Sequence, residues 1–336
     1  MPNGQDKAYT KARFFKCALQ VNPAGYINYR GQQQALTEDE YNQQLLAACL
    51  EAKVEVIGLA DHGSVDGVDK LRELSSENGV VVFPGFEIAS SEKIHFVCLF
   101  DEAKTSQELE RILGSLSLLN PQDGIRPSRL SAEQLIDAVN QQNGFIFAAH
   151  CTNDNGLLKV GQMNHVWQHK GLLAAQIPGS VEDLKGVQDD FYRKVFLNKN
   201  TDYRREREMA AINAADVANP EDIKSDGASC LIKMTKPCFT SFKQAFLDAG
   251  SRVRLNSDKP ESYASAIEQI RFVGGYLDGM DIELSEHLNA VIGGRGTGKS
   301  TLLECIRFAF DLAPFGKAAK AQHDAIIKTN LGSEKG

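Results

Sequence analysis

The run Gly293–Ser300 has the sequence GGRGTGKS, which fits the pattern GxxxxGKS of phosphate-binding loops. The apolar run Leu288–Ile292 comes directly before it, and a helical apolar pattern starts near Lys299. The pattern requires this order of strand, glycine loop and helix, because the N–H groups at the start of the helix then face a phosphate. We therefore predict a nucleotide-binding P-loop at Gly293–Thr301.

The residues of this predicted loop have separate roles. The glycines let the backbone approach the phosphates, Lys299 is expected to contact the β and γ phosphates of ATP, and the Ser300 hydroxyl is expected to bind Mg²⁺. The segment from Leu312 to Gly336 is too short to add the carboxylate-bearing strand that helps to hold Mg²⁺ in P-loop enzymes. We therefore expect the chain as given to bind nucleotide weakly and not to hydrolyse it. The predicted nucleotide-binding residues are Gly293, Gly294, Arg295, Gly296, Thr297, Gly298, Lys299, Ser300 and Thr301.

From Phe14 to about Asp216, short apolar runs alternate with helical patterns, which is typical of strands and helices around a largely parallel sheet. Two of the predicted helices, Thr37–Ala52 and Ser131–Gln142, begin with capping-box spacing. Seven strands separated by helices predict a closed or nearly closed α/β barrel, with functional groups at the carboxyl ends of the strands. The predicted strands are Phe14–Val21, Val54–Ala60, Val80–Phe83, Ile94–Phe100, Phe145–Ala149, Leu172–Ile177 and Ala210–Ala214.

The length of 336 residues exceeds that of one average domain. The segment Leu247–Ser265 is richer in polar, Gly and Pro residues than its flanks, which favours a boundary there. We predict a barrel domain over residues 1–250, a linker over 251–266, and the N-terminal part of a P-loop ATPase domain over 267–336.

Charge and apolar content exclude some classes of protein. A formal net charge of −7 argues against coating of nucleic acid by bulk electrostatics, so any such contact must be local. The N-terminus lacks the apolar stretch of a signal peptide, and no later run approaches the roughly 20 apolar residues of a membrane span, so we expect a cytoplasmic protein. The seven cysteines include no CxxC pair and are expected to be buried thiols.

Histidine and carboxylate residues recur at the predicted strand ends. His62 and Asp61 follow one strand, His95 lies in another, and His150 ends a third, while Glu87 follows the run FPGF. A single histidine is more often a core or surface residue than a ligand. Because these residues share a position at strand ends, we expect them to converge at one face of the barrel and form a metal site.

The order of these motifs resembles the PHP (polymerase and histidinol phosphatase) family: DH at Asp61 and His62, PGFE ending in Glu87, then the strands with His95 and His150. That family has distorted (βα)7 barrels that hydrolyse phosphate esters with up to three metal ions. The resemblance implies catalytic roles for His62, Asp61 and His150. It implies metal-binding roles for Glu87, His95, His150 and Asp216.

The chain departs from the family pattern in two places. Gln20 and Asn22 stand where the family motif DxHxH has two histidines, and the family motif SDxH keeps only its aspartate, Asp216, with Ala218 in place of the histidine. Side-chain oxygens of Gln20 and Asn22 are expected to serve as neutral metal ligands, which suit Mg²⁺ or Mn²⁺ better than Zn²⁺. We therefore expect a site that holds a single metal ion or whose ligand geometry differs from that of the family.

The segment Gly274–Phe308 resembles the opening of the ABC-type ATPase heads of SMC-like and DNA-repair ATPases. Taken together, the two parts of the chain resemble bacterial PHP-ATPase proteins, some of which act in defence against phage. They imply ATP and Mg²⁺ as cofactors, with Mn²⁺ or Zn²⁺ in the barrel site. They also imply nucleic acid as substrate, no membrane partner, and homo-oligomers formed through the ATPase heads.

A basic segment within Phe191–Glu208 carries cations interleaved with aromatic residues, a pattern that can hold a phosphate backbone and stack bases. The alternative is a solvated helix face whose cations are balanced by neighbouring carboxylates. The cations are Arg193, Lys194, Lys199, Arg204, Arg205 and Arg207, and the aromatic residues are Phe191, Tyr192, Phe196 and Tyr203.

Three functions remain open from the sequence. The first is a metal-dependent phosphoesterase, specifically a nuclease, regulated by the attached ATPase. The second is a catalytically degenerate barrel that acts as a sensor or scaffold for the ATPase, which the residues Gln20 and Asn22 favour. The third is a phosphatase of small molecules.

Overall fold

A computed structural model describes residues 11–26, 35–119, 127–258, 266–285 and 288–330. The described residues divide into two compact units. The larger lies within residues 14–261, and the smaller consists of residues from 262 onward together with those before 14.

Nine strands of the larger unit form one sheet, in the order β7-β6-β5-β4-β3-β2-β1-β8-β9. The terminal strands β7 and β9 also contact each other, so the sheet curls into a nearly closed barrel. This confirms the predicted α/β barrel, and each of the seven predicted strands is present. The strands are β1 (Arg13–Val21), β2 (Val56–His62), β3 (Val81–Ala89), β4 (His95–Leu99), β5 (Phe145–Ala148), β6 (Ala174–Gln176), β7 (Ala210–Ile212), β8 (Cys230–Met234) and β9 (Val253–Leu255).

The sheet is mixed in direction. β1, β2 and β3 are parallel, as are β5, β6 and β7, whereas β4 runs antiparallel to both of its neighbours. The antiparallel pair β8 and β9 was not predicted, and β9 lies in a segment whose polar, Gly and Pro residues indicated a linker. β9 lies within the predicted linker 251–266, so that part of the interval belongs to the sheet, while residues 259–265 lie outside the described residues.

Helices pack against the barrel in the larger unit and also form part of the smaller unit. The capping boxes predicted at Thr37 and Ser131 are present, and Thr105 has a third. The helices are α1 (Glu38–Glu51), α2 (Val68–Glu77), α3 (Ser106–Ser115), α4 (Ala132–Gln141), α5 (Asn164–Trp167), α6 (Phe191–Phe196), α7 (Phe239–Ala245), α8 (Ala249–Arg252), α9 (Lys299–Ala309) and α10 (Lys317–Asn330).

Two hydrophobic cores follow from the period-two alternation of the strands. In β5, Phe145 and Phe147 belong to the core inside the barrel, whereas Ile146 and Ala148 belong to the core beneath the helices. Inside the barrel, Phe242 of α7 packs against Phe145, the first residue of β5, with ring centroids 4.9 Å apart. Aromatic side chains therefore fill the barrel at the end where β5 begins, which leaves polar side chains for the opposite end.

The smaller unit contains the antiparallel strands β10 (Gln269–Arg271) and β11 (Asp281–Glu283) beside α9 and α10. Its core consists of Phe272, Leu277, Leu302 and Cys305. The strand predicted at Leu288–Ile292 is absent, because no strand in the described part of the chain pairs with this run. The side chains of Leu288 and Ile292 are 93% and 90% exposed.

All seven cysteines are free, and every one except Cys238 is buried, which confirms the expected buried thiols. Among the described residues, none of the helices combines the length and the apolar character needed to cross a lipid bilayer.

Candidate metal centre

Three adjacent strands deliver side chains to the interior of the barrel at the same end. Phe83 of β3 lies in the interior core, so the two-residue period places Glu87 on the same face. His62, the last residue of β2, is directly opposite Glu87 in the parallel pair. Because β4 is antiparallel, its first residue, His95, reaches this end as well, opposite Ala89.

A fourth side chain of this site, His150, lies in the turn after β5. His150 has a φ of 27°, in the left-handed region that a residue with a Cβ rarely adopts. Such backbone geometry persists only where the surrounding structure holds it, and it is frequent at functional sites. Its ring lies edge-on to that of His95, with centroids 5.0 Å apart.

The Glu87 carboxylate lies at the centre of these histidines and is 1% exposed. Oε1 lies 3.0 Å from Nδ1 of His95 and 3.8 Å from Nε2 of His150, and Oε2 lies 3.4 Å from Nε2 of His62. Burial alone raises the pKa of the Glu87 carboxyl, but the neighbouring imidazoles outweigh burial and hold that pKa well below its usual range. The site therefore contains a buried, ionised carboxylate.

Glu87 also accepts a hydrogen bond from the side-chain amide of Gln20, with 2.7 Å between Nε2 and Oε2. We expected Gln20 to present its amide oxygen to a metal ion. The side chain instead presents its nitrogen, because the group that faces it is a carboxylate oxygen and only an N–H can donate to that oxygen.

Asn22 and Asp216 form a second polar group at the same barrel end. Nδ2 of Asn22 donates to Oδ1 of Asp216 and, over 3.1 Å, to the carbonyl oxygen of Val217. The hydroxyl of Tyr26 donates to Oδ2 of Asp216 over 2.9 Å, and its ring lies against that of His62, with centroids 4.9 Å apart. Oδ1 of Asn22, the atom expected to bind a metal ion, is buried and has no hydrogen-bond partner among the described residues, so its role as a ligand stays a prediction.

Asp61 is placed differently from its neighbour His62. Its Oδ1 accepts a hydrogen bond of 2.7 Å from the backbone N–H of His62. Burial raises the pKa of Asp61, although this N–H opposes the shift. The residue borders a cavity of about 650 Å³ lined also by Asn42, Ser64 and Asp66. Among the described residues, no hydrogen bond or ion pair joins Asp61 to Glu87, and the catalytic role of Asp61 stays a prediction.

The residues present fit one divalent cation. Ligand atoms of Glu87, His95 and His150 lie within 4.8 Å of one another. One carboxylate with two imidazoles is a donor set that Mn²⁺, Fe²⁺ and Zn²⁺ accept. Nδ1 of His150 is buried and has no hydrogen-bond partner within the described structure, so this ring is not committed to a structural contact at that nitrogen.

Two residues of this region were not predicted. Tyr26 contacts both Asp216 and His62, and Gln176 ends β6 with a buried Oε1 that has no hydrogen-bond partner among the described residues. Gln176 lies on the face of Ala174, which belongs to the interior core. The strand-end criterion that selected the histidines, applied to every polar residue, would have included Gln176, because the predicted strand Leu172–Ile177 contains it.

The basic segment within Phe191–Glu208 does not form a stacking surface. Tyr192, Phe196 and Tyr203 are buried in the core beneath the helices and cannot stack on bases, which corrects that part of the expectation. The guanidinium of Arg193 contacts both carboxylate oxygens of Glu182.

Arg205, another residue of that segment, is 9% exposed. It donates to the carbonyl oxygens of Leu172, His169 and Arg207, at 2.7, 3.3 and 3.0 Å. Burial lowers the pKa of its guanidinium to about 10. Arg205 therefore has a structural role.

The predicted nucleotide-binding loop connects residue 293 to α9 in the smaller unit. Gly296 and Gly298 have φ values of 81° and 88°, which glycine adopts without strain. Nζ of Lys299 donates to the carbonyl oxygen of Gly293 over 2.8 Å, and Ser300 is exposed. The nucleotide-binding roles of these residues stay predictions.

Comparisons with known proteins give a family match within the smaller unit and several similar structures. Residues 267–334 match a family model described as an AAA domain. No curated protein matches the chain. The lesion-specific endonuclease PfuEndoQ from Pyrococcus furiosus has a similar structure, with a TM-score of 0.51, 13% identity, and coverage of 96% of this chain and 73% of that chain.

Two further structures are similar to this chain, with lower TM-scores. Endonuclease Q in complex with a 27-mer duplex substrate that has an abasic lesion at the active site gives a TM-score of 0.49 at 11% identity, over 72% of this chain and 58% of that chain. A two-domain protein from Bacteroides vulgatus that contains a predicted PHP-like metal-dependent phosphoesterase gives a TM-score of 0.43 at 13% identity. The match covers 70% of this chain and 63% of that chain. The chain thus spans less than two thirds of both proteins.

The chain therefore combines an α/β barrel, similar in fold to PfuEndoQ, with a segment, residues 267–334, that matches a family model described as an AAA domain.

Proposed function

We propose that the barrel is a metal-dependent phosphoesterase that acts on nucleic acid. The observation that carries this proposal is the buried, ionised carboxylate of Glu87 together with His95 and His150, whose ligand atoms lie within 4.8 Å of one another. A site of this kind attracts a divalent cation because the net charge of its donors is negative and two imidazoles are neutral when they bind metal.

A cation held by Glu87, His95 and His150 would activate water and polarise a phosphoryl oxygen. The neighbouring residues have supporting roles. Gln20 orients the Glu87 carboxylate through its amide hydrogen bond. The His62 imidazole, with Nε2 3.4 Å from Oε2 of Glu87, is placed to accept or donate a proton at the edge of the site.

The substrate class is supported by the fold. The similar structures include the lesion-specific endonuclease PfuEndoQ. This chain has a net charge of −7, and three of the four aromatic residues of its basic segment are buried, so the nucleic acid would be held locally around the centre. A nuclease reaction is therefore favoured over hydrolysis of small phosphate esters.

Regulation by nucleotide is a further part of the proposal. The loop before α9 has the sequence GGRGTGKS, and it lies in a segment that matches an AAA domain. We propose that ATP and Mg²⁺ bind there, that copies of the protein associate through their ATPase heads, and that both events control the barrel. The resemblance to PHP-ATPase proteins extends this proposal to defence against phage, which plating efficiency on cells with and without the gene would test.

The experiment for the proposed reaction uses the Mn²⁺-supplemented protein with labelled single-stranded DNA, duplex DNA and RNA. We expect cleavage by the wild type and none by Glu87→Gln, which removes the negative charge with little change of shape. Glu77→Gln is the matched control, because Glu77 is exposed on α2. If all three substrates stay intact with the wild type while p-nitrophenyl phosphate is hydrolysed, the nuclease assignment is wrong and a small-molecule phosphatase replaces it.

A second candidate is a barrel that senses or scaffolds without catalysis. It is favoured by the amide nitrogens of Gln20 and Asn22, which face carboxylates where the related family has histidines. Metal content separates the two candidates: wild-type protein that retains no Mn²⁺ after dialysis would support the sensor, whereas retained Mn²⁺ that is lost in Glu87→Gln would support the phosphoesterase.

A further inference from the structure

We infer that the barrel centre holds a single divalent cation, and that hydrogen-bond donors of Gln20, Asn22 and Tyr26 occupy the positions that further cations would need on Glu87 and Asp216. This inference rests on the proposed metal-dependent function and specifies its stoichiometry. It follows from the direction of three hydrogen bonds rather than from the identity of the residues alone.

The first hydrogen bond joins Gln20 to Glu87. An amide nitrogen is not a metal ligand, because its lone pair is delocalised, and its N–H presents positive charge outward. With Nε2 2.7 Å from Oε2 of Glu87, that charge lies against the same oxygen that a second cation would approach. Oε1 remains directed at His95 and His150. Glu87 therefore offers one of its oxygens to the three-residue metal site.

The second hydrogen bond fixes Asn22. Its Nδ2 faces two acceptors, Oδ1 of Asp216 and the carbonyl oxygen of Val217, and the side chain is fully buried. Rotation of the amide by half a turn would bring its oxygen against two other oxygens, which is electrostatically unfavourable. The backbone holds Val217 in place, since its carbonyl also accepts the N–H of Asn22 and its N–H donates to Gln20. The donor orientation of Asn22 is thus determined by its surroundings.

The third hydrogen bond involves Tyr26, whose hydroxyl donates to Oδ2 of Asp216 over 2.9 Å. Each oxygen of the Asp216 carboxylate therefore accepts a hydrogen bond from a neutral side chain. A cation at either oxygen would have to displace one of these hydrogen bonds. Asp216 is consequently a structural acceptor that joins β1 to the chain after β7, rather than a metal ligand.

A single cation at Glu87, His95 and His150 limits how the reaction can be catalysed. The clamp in which two cations contact the attacking and leaving oxygens is not available. Charge on the leaving group must then be balanced by side chains of the barrel, and the His62 imidazole borders the centre.

The test is a metal count on the whole chain. The wild type, Asp216→Asn and Glu87→Gln are incubated with Mn²⁺, dialysed against metal-free buffer and measured by inductively coupled plasma mass spectrometry. Asp216→Asn keeps the shape of the side chain, so its fold should be retained. We expect one Mn²⁺ per chain for the wild type and for Asp216→Asn, and none for Glu87→Gln. Electron paramagnetic resonance should show isolated Mn²⁺, without the exchange coupling of a close pair.

Other results would have distinct meanings. Two or more Mn²⁺ per wild-type chain, with an exchange-coupled signal and loss of one ion in Asp216→Asn, would overturn the single-cation inference and leave the proposed phosphoesterase intact. Wild-type protein that retains no Mn²⁺ would overturn the proposed function, and the inference with it.

Discussion

His62 and Glu87 are paired directly across the parallel strands β2 and β3, and Nε2 of His62 lies 3.4 Å from Oε2 of Glu87. The other two histidines of the centre face Oε1 of the same carboxylate. One carboxylate thus separates His62 from the pair that we propose as metal ligands.

This separation predicts different outcomes for two histidine substitutions. His62→Gln should reduce cleavage by about 10²–10⁴-fold, the usual contribution of a group that transfers a proton, while the Mn²⁺ content stays unchanged. His150→Ala should lose Mn²⁺ and activity together. His165→Gln serves as the control, because His165 is exposed and lies on α5. Loss of Mn²⁺ in His62→Gln would show that His62 is a ligand and contradict the assignment.

Gln20→Ala should destabilise the metal-free protein. The variant removes the 2.7 Å hydrogen bond to the buried Glu87 carboxylate, and hydrogen bonds to charged groups contribute about 1.5–3 kcal/mol. Urea unfolding, followed by circular dichroism in the presence of a chelator, measures the free energy of unfolding. Gln43→Ala, an exposed substitution on α1, should change it by less than about 0.5 kcal/mol. Equal stabilities of the two variants would contradict the role given to Gln20.

The strand-end criterion explains how much of this centre could be predicted from the sequence. Glu87, His95 and His150 were selected because polar residues at strand ends meet at one edge of a barrel, and the structure brings them together. Tyr26 was not selected, since it lies beyond the end of β1 and belongs to no motif.

The orientation of the amides could not be predicted. Whether Gln20 and Asn22 present oxygen or nitrogen depends on Glu87 and Asp216, which lie 67 and 194 residues away in the chain. No local pattern encodes such a contact. In the same way, β8 joins the sheet beside β1, which is distant in the chain, and β9 joins it through β8.

Gly85→Ala should prevent folding of the barrel. Gly85 lies two residues before Glu87 on the same strand face, and a Cβ added there would lie 2.0 Å from the backbone oxygen of Cys98 on β4. Backbone atoms on a paired strand cannot move aside without breaking the sheet. We expect insoluble protein, or a thermal midpoint far below that of the wild type.

Gly114→Ala is the matched control for that glycine. It lies on α3 with nothing within 4 Å of the added Cβ, and alanine in place of glycine in a helix stabilises by about 0.5–1 kcal/mol. Its thermal midpoint should therefore rise slightly. A soluble Gly85→Ala protein with an unchanged midpoint would contradict the close approach of β3 and β4.

Lys299→Ala should weaken nucleotide binding without affecting the metal centre of the barrel. Nζ of Lys299 lies on the P-loop itself, 2.8 Å from the carbonyl oxygen of Gly293, where a phosphate can replace that contact. Titration with a fluorescent ATP analogue measures binding, and Lys320→Ala, an exposed substitution on α10, is the control. Equal affinity of the two variants would contradict a phosphate-binding role for the loop.

Arg205→Ala tests whether the basic segment binds nucleic acid or supports the fold. The variant leaves the carbonyl oxygens of Leu172, His169 and Arg207 without their guanidinium donor. A buried acceptor left unsatisfied costs about 1–3 kcal/mol, so we expect the free energy of unfolding to fall by at least about 2 kcal/mol. The exposed neighbour Arg204 is the control, and Arg204→Ala should change stability by less than about 0.5 kcal/mol.

The affinity for labelled DNA, measured by fluorescence anisotropy, separates the two roles of this segment. Under conditions in which Arg205→Ala remains folded, its affinity should equal that of the wild type. The Arg205 side chain is 9% exposed, its Nε and Nη2 donate to backbone carbonyls, and its Nη1 is buried, so the guanidinium does not reach a phosphate backbone. A stable Arg205→Ala protein with weakened DNA binding would instead assign this side chain to the nucleic-acid interface. The aromatic residues beside it would still be excluded, since Tyr192, Phe196 and Tyr203 are part of the core.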